Sequence, residues 1–377
     1  MIAAHGGKLI SRVLSTDKSR RLLENAREMQ TLEVSDDTLL DMANIATGAF
    51  SPLEGFMGQQ DLIDVLASNS LQDGTIWTLP VVLPSPQKPL ARPGEDVILT
   101  DGEGRPKGLL HLEEVFAHNQ EETAQAVFGT TDLLHPGVKK MAEEGSHLMS
   151  GKIELIKMPR PIAPGWEMTP LQTREAFRKN GWQTITGFQT RNVPHRAHEY
   201  LQKVALEITD GILLHPLVGW KKSGDYSPSA IMRGYQTLIR HYYPKDRALL
   251  AALATKMRYA GPKEAIFHAI IRKNFGCTHF IIGRDHAGVG GFYRKYEAHE
   301  FVDVVGDLGI EILKLKGPYY CKRCESIATE KTCPHPEDAH LSISGTQVRA
   351  MLAAKEKLPK EFMRPEVSEE LSHEDLL

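Results

Sequence analysis

The sequence predicts an α/β protein whose parallel sheet is covered by helices on both faces, preceded by a separate strand-rich segment. Two observations carry this. From about residue 184, short apolar runs alternate with amphipathic runs of a dozen residues or more, as in βαβ units. Before about residue 157 the texture is instead short strands broken by turn residues. Between the two lies "KMPRPIAPGWEMTP" (157 to 170), whose four prolines mark a linker or domain boundary. At 377 residues the chain is long for one core, which fits two or three domains.

Taken in order, "DDTLLDMANIATGAF" (36 to 50) reads as a helix ending near Gly48, and "TIWTLPVVL" (75 to 83) as a strand. The stretch from 97 to 115 reads as a hairpin turning at Asp101-Gly102, where a tight turn requires positive φ. In the second half, "TITGFQT" (184 to 190), "GILLHPLVG" (211 to 219) and "CTHFIIGR" (277 to 284) are strands. Helices follow at "HRAHEYLQKVALEIT", "SPSAIMRGYQTLIRHYY" and "PKEAIFHAIIRKNFG", while "RALLAALAT" fits strand or helix. Ligands of such sheets bind at the carboxyl ends of the strands. The polar clusters "QTRNVPHRAH" and "GRDHAGVG" both follow strands, so both belong on that rim.

Composition narrows the class. With 41% hydrophobic and 25% charged residues the chain resembles an ordinary globular protein. A net charge of −3 and a pI near 6.6 argue against binding nucleic-acid backbone over a wide surface. No apolar run approaches the length of a bilayer span, and the opening residues are too few and too polar for a signal peptide. The expectation is a cytoplasmic protein that binds neither nucleic acid nor membrane.

The rim motifs carry chemistry suited to anions. In "NVPHRAH", Asn192 and Pro194 are helix-start residues, and His195 and His198 stand one turn apart. A helix N-terminus favours phosphate, two imidazoles add donors, and Arg191 adds a planar fork suited to a tetrahedral oxyanion. Taken alone, the pair also fits a metal site or a plain helix surface. In "GRDHAGVGG", glycines allow close backbone approach while Arg284, Asp285 and His286 supply charge. The spacing is neither a Walker A nor a dinucleotide fingerprint. A third element, "ISGTQVRAML" (343 to 352), offers Ser344 or Thr346 as a helix cap and projects Arg349 from the first turns. An ordinary cap and a phosphate contact both fit it.

Three of the four cysteines fall within thirteen residues, in "CKRCESIATEKTCPHPEDAH", which is not a secreted disulfide framework. Cys321, Cys324, Cys333 and one imidazole complete a tetrahedral structural zinc site. His340 is the expected fourth ligand, since it leaves a roomier loop than His335, two residues from Cys333. Cys277 falls in an apolar strand and reads as packing.

At these elements the chain resembles the ATP sulfurylase family. The matching residues are Gln189-Thr190-Arg191-Asn192 with His195 and His198, the Gly-Arg-Asp-His-Ala-Gly loop, and Ile-Ser-Gly-Thr. "HGGKL", "IATGAFSPLEGFM", "GDYSPSAIMRGYQTLI" and "EFMRPEV" extend the resemblance over essentially the whole chain. One departure is Val193 between Asn192 and Pro194, where many members have proline directly, so a local change at the helix start is expected. The resemblance is to the single-function type with an inserted zinc loop. It implies a PUA-like N-terminal β domain (1 to 165), a Rossmann-like nucleotidyltransferase domain (166 to 318) and a C-terminal region with the zinc loop and Ile-Ser-Gly-Thr element (319 to 377). It implies the reaction of MgATP with sulfate to adenosine 5'-phosphosulfate and pyrophosphate, and a homodimer or larger.

Carried over by position, the resemblance assigns sulfate to Gln189, Arg191 and the backbone at Ala287. Thr190, Arg191, Asn192, His195 and His198 become the catalytic set. Gln189, Asn192, His195, His198, Gly283, Arg284, Asp285 and His286 become the nucleotide contacts, with Mg2+ arriving on ATP. The competing readings are an RNA-binding module built from a PUA-like domain and a zinc knuckle, and an adenylyl- or cytidylyltransferase for another acceptor.

Overall fold

The structure, a computed structural model, describes residues 2–25, 29–85, 89–372 and 375–376. The N-terminal sheet holds six strands: β1 (Gln30–Glu33), β2 (Gly55–Phe56), β3 (Leu83–Ser85), β4 (Asp96–Thr100), β5 (Pro106–Ala117) and β6 (His147–Leu155). Their order is β1-β4-β5-β6-β2, with β3 also on β6; only β1 and β4 run parallel. The helix expected at 36 to 50 spans Asp36–Ala46, capped by Ser35 and followed by Gly48 at φ 85°.

Two local expectations are corrected. The β4–β5 hairpin forms, but its positive φ falls on Gly104 (72°) and not at Asp101-Gly102. The Asp101 carboxylate accepts the backbone N–H groups of Glu103 (3.1 Å) and Arg105 (2.9 Å), building a longer side-chain-closed turn that a two-residue reading misses. The segment 75 to 83 is not a strand beyond an isolated bridge at Ile76 and the start of β3. It is apolar because it is buried between layers: Trp77 packs edge-on against Phe50 and Phe267, with ring centroids 6.4 and 5.4 Å away. That burial joins the N-terminal domain to the helix Gly261–Asn274 through one continuous core.

The second sheet has five strands, β7 (Ile185–Thr190), β8 (Gly211–Pro216), β9 (Ala248–Leu250), β10 (His279–Ile282) and β11 (Glu311–Lys314), all parallel, in the order β11-β10-β7-β8-β9. The ambiguous run at 247 to 255 thus supplies a strand. Alternate side chains enter opposite layers: Leu213, Phe280 and Ile282 join the core shared with the N-terminal domain, while Ile212, Leu214 and Ile281 join a second core under the helices Arg196–Leu206, Pro228–Tyr242 and Gly345–Ala353. From β7 the chain winds outward through β8 and β9, then returns to the other side of β7 with β10 and β11. The order reverses between β7 and β10, the place where an open parallel sheet leaves a crevice at its carboxyl edge.

A third, antiparallel sheet holds β12 (Tyr319–Cys321), β13 (Ser326–Ala328) and β14 (His340–Ser342), in the order β13-β12-β14. The C-terminal segment clasps the helix Arg196–Leu206. The Arg364 guanidinium forks onto the buried Glu199 carboxylate at 2.7 and 2.9 Å, and the Phe362 carbonyl accepts the Arg196 N–H at 2.8 Å. Among the described residues no helix is long and apolar enough to cross a membrane.

Candidate active site

The two loops that leave β7 and β10 form opposite walls of a cleft of ≈ 1040 Å³, open to solvent. Gln189, Thr190, Arg191, Asn192, His195 and His198 line one wall. Gly283, Arg284, Asp285, His286 and Ala287 line the other, and Ser344 to Thr346 with Arg349 close one end. Every residue that the resemblance assigned to sulfate or nucleotide therefore lines one cleft, and the cysteine loop lies outside its lining.

The helix after β7 begins one step later than the sequence suggests. Asn192 is not its cap: His195 is, with Nδ1 accepting the His198 backbone N–H at 3.3 Å, and the helix starts at Arg196. Since Nδ1 accepts, a neutral His195 carries its proton on Nε2. The His195 and His198 rings stack at 3.7 Å, so two charged imidazoles here would repel. Burial pushes His198 down to about 4. Burial first, then His198, Arg284 and Arg349, hold His195 well below its ordinary value. Near pH 7 both rings are therefore neutral, each with one ring N–H to donate.

Freed from capping, the Asn192 side-chain oxygen accepts Arg349 Nη1 at 2.6 Å. Ser344 caps the helix that carries Arg349, its Oγ accepting the Gln347 N–H at 3.2 Å. Gly345 sits against Asn192 so closely that a Cβ would lie 3.0 Å from its side chain. The ordinary cap falls on Ser344, while Arg349 lines the cleft and bonds Asn192.

On the facing loop, Asp285 and Ala287 are non-glycine residues at φ 53° and 57°. Alternation of left- and right-handed residues turns successive N–H groups toward a shared concavity that favours anions. At Gly288 a Cβ would lie 1.9 Å from Asp285 Oδ1, so a side chain there would displace that carboxylate. Arg191 reaches across, its Nη2 donating to the Gly288 carbonyl at 3.1 Å. Arg191 Nε and Gln189 Nε2 are buried and have no hydrogen-bond partner. A buried donor without a partner costs about 1 to 3 kcal/mol, which a ligand oxygen within reach would offset.

Behind this wall lies a carboxylate that the motif reading missed. Asp225 is fully buried; its Oδ2 stands 3.8 Å from Arg191 Nε and accepts the Tyr259 hydroxyl at 3.1 Å, while Oδ1 stands 3.6 Å from Arg349 Nη1. Nearby Lys221 donates to the Tyr226 carbonyl at 2.6 Å, and burial pushes it down to about 8 against the opposing pull of Asp225. The signal was readable: "KKSGDYS" follows β8, a third strand end on the same rim. A second buried chain, Glu264 to His268 (3.4 Å) to His286 (3.2 Å), supports the β10 loop from beneath.

The cysteine loop also holds a formed donor set, with one correction. Cys321, Cys324, Cys333 and His335 place four ligand atoms within 4.8 Å of one another. His335 Nδ1 lies 3.4, 3.2 and 3.6 Å from the three sulfurs, and Cys324 and Cys333 sulfurs are 3.7 Å apart. Thiolates about 2.3 Å from a tetrahedral zinc stand about 3.8 Å apart, so the set fits a metal such as zinc. His340, the expected fourth ligand, is displaced: its ring stacks on Tyr319 at 3.7 Å, and its Nε2 is 3.9 Å from Cys333. His335 sits in a bend between Pro334 and Pro336 that brings its ring to the three sulfurs.

A parallel sheet with two polar loops facing one another across a cleft at its switch point has the layout of Rossmann-like enzymes. Residues 164–374 match the ATP-sulfurylase family model, and residues 2–158 match the PUA-like domain. The chain belongs to the ATP-sulfurylase family and is an enzyme of that type. It is 46% identical to a sulfate adenylyltransferase of Hyperthermus butylicus over 96% of this chain and 94% of that one. Similar relatives of that name occur in Pyrococcus abyssi (46%, 97% and 96%) and in a Synechococcus (46%, 98% and 96%). Among solved structures it resembles the hexameric APS kinase from Thiobacillus denitrificans, with a TM-score of 0.77 and 25% identity over 98% of this chain and 68% of that one.

Proposed function

We propose that the cleft transfers the adenylyl group of ATP to sulfate. A sulfate oxygen attacks the α-phosphorus, the bond to the bridging oxygen of pyrophosphate breaks, and adenosine 5'-phosphosulfate and pyrophosphate result. The observation that carries this is the pair of buried donors without a hydrogen-bond partner, Gln189 Nε2 and Arg191 Nε, beside a helix start bearing two neutral imidazoles. Two anions that repel one another need such a site. Its work is positioning and charge neutralisation, because sulfate is itself the nucleophile.

In this reading Gln189, Arg191 and the Ala287 backbone hold sulfate. Thr190, Arg191 and Asn192 surround the reacting phosphorus. His195 and His198, with Gly283 to His286, take the departing phosphates. Asp285 is the one carboxylate among the described cleft-lining residues, so Mg2+ enters bound mainly to ATP's phosphates and water. The Cys3His site holds structural zinc, with no position left for substrate. The three units are 1 to 165, 166 to 318 and 319 to 377, with the Pro-rich segment after β6 as the first boundary. The protein acts in the cytoplasm as a homodimer, which light scattering tests. The reaction is tested by pyrophosphate release from ATP: it should require sulfate, and release indifferent to sulfate would overturn the reading.

A further inference from the structure

The metal site and the cleft share two strands. Gly317 and Pro318, which line the cleft, run directly into β12, and β14 runs directly into Ile343, Ser344 and Gly345, which line it too. The strands pair in register, Tyr319 with Ser342, Tyr320 with Leu341 and Cys321 with His340. The ladder therefore has the metal-ligand cluster at one end and the cleft wall at the other, about 10 Å away by strand rise.

Both cleft ends of this ladder touch an anion-binding loop. Beyond β14, the Ser344-capped helix delivers Arg349 to Asn192 at 2.6 Å. Before β12, a Cβ on Gly317 would lie 2.9 Å from Arg284 Cδ, and the Gly317 N–H donates to the Tyr296 hydroxyl at 3.1 Å. One side chain from each strand, Tyr320, Ile327 and Leu341, packs against the second core, but little of the sheet is fully enclosed. Of the three-residue strands only Cys321 and Ala328 are buried, and so small a sheet is marginal without a staple.

We propose that the Cys3His site is a positioning element for the nucleotide: the metal closes the ladder and thereby sets Arg349 against Asn192 and Gly317 against Arg284. The proposal rests on the cleft being the ATP site. Gln189 and the Arg191 contact to Gly288 lie outside the ladder, so sulfate recognition is spared.

The test compares the full-length protein with His335→Ala and with His335→Cys, which restores four ligands. Readouts are bound zinc, calorimetric affinity for the magnesium complex of α,β-methylene-ATP, KM for sulfate, and hydrogen exchange over residues 343 to 352. His335→Ala is expected to lose zinc, bind the analogue at least tenfold more weakly, exchange faster over 343 to 352 and keep its sulfate KM within twofold. His335→Cys is expected to restore zinc, analogue affinity and slow exchange, with the sulfate KM again unchanged. Loss of zinc with wild-type affinity and unchanged exchange overturns the proposal. Should His335→Ala not fold, hydrogen exchange on wild-type protein before and after chelation tests the same coupling: faster exchange over 343 to 352 supports it, and unchanged exchange overturns it. That exchange needs no nucleotide, so a wild-type protein that fails to bind the analogue counts against the cleft reading separately.

Discussion

Arg349 Nη1 donates to the Asn192 side-chain oxygen at 2.6 Å, joining two motifs 157 residues apart in the chain. This bond exists because His195, and not Asn192, caps the helix after β7. It orients a guanidinium beside the helix start that the proposed function assigns to phosphates. Arg349→Ala should lower kcat/KM for ATP about a hundredfold, the effect of losing about 3 kcal/mol from a preorganised donor. Asn192→Ala combined with Arg349→Ala should cost less than the sum of the two, because the partners act as one unit. Steady-state kinetics on the three variants check both points.

Asp225 stands between the two guanidiniums, 3.8 Å from Arg191 Nε and 3.6 Å from Arg349 Nη1. Asp225→Asn keeps the shape and removes the charge that orients them. It should lower kcat about tenfold or more, as losing a charge-assisted contact costs about 1.5 to 3 kcal/mol. KM for sulfate should not rise, since Arg191 keeps its fork and sheds a competing carboxylate. A rise in KM with unchanged kcat would count against this role.

Acid should weaken the empty enzyme through its buried imidazoles. Burial holds His195, His198, His215, His268 and His286 below their ordinary value, with His198 at about 4. The unfolded chain protonates them near pH 6.5 and the folded chain lower. Their contribution is present above about 6.5 and is lost as pH falls toward 4. Thermal melting from pH 8 to 5 should show a falling Tm, shallower in His198→Asn. Bound pyrophosphate should favour protonated rings, so its affinity should rise as pH drops below 7.

The ligand set of the cysteine loop separates two neighbouring histidines. His335→Ala should purify with little zinc, while His340→Ala should retain it and lose only the Tyr319 stacking contact. Metal analysis on the purified variants decides this.

Much of this architecture was legible because it is periodic. The alternation of apolar runs and amphipathic helices exposed β7, β8 and β10, and the polar clusters at their ends exposed both cleft walls. What escaped was set by contacts distant in sequence. The segment at 75 to 83 has strand composition, but its residues are spent on burial against Phe50 and Phe267. Asn192 is a good cap by type, yet it pairs with an arginine from the far end of the chain. Asp225 lies within the matched stretch "GDYSPSAIMRGYQTLI" but was given no role there, because its two guanidinium neighbours come from distant parts of the chain. The choice between His335 and His340 turned on a proline-flanked bend, which ligand spacing does not encode.

The most direct test of the cleft as a clamp for two anions is exchange of labelled pyrophosphate into ATP. Exchange should require sulfate and fall about a hundredfold in Arg191→Ala and in His198→Ala, each still folded, as the loss of one well-placed donor predicts at about 3 kcal/mol. Exchange that proceeds equally without sulfate, or near-wild-type exchange in either folded variant, would contradict it.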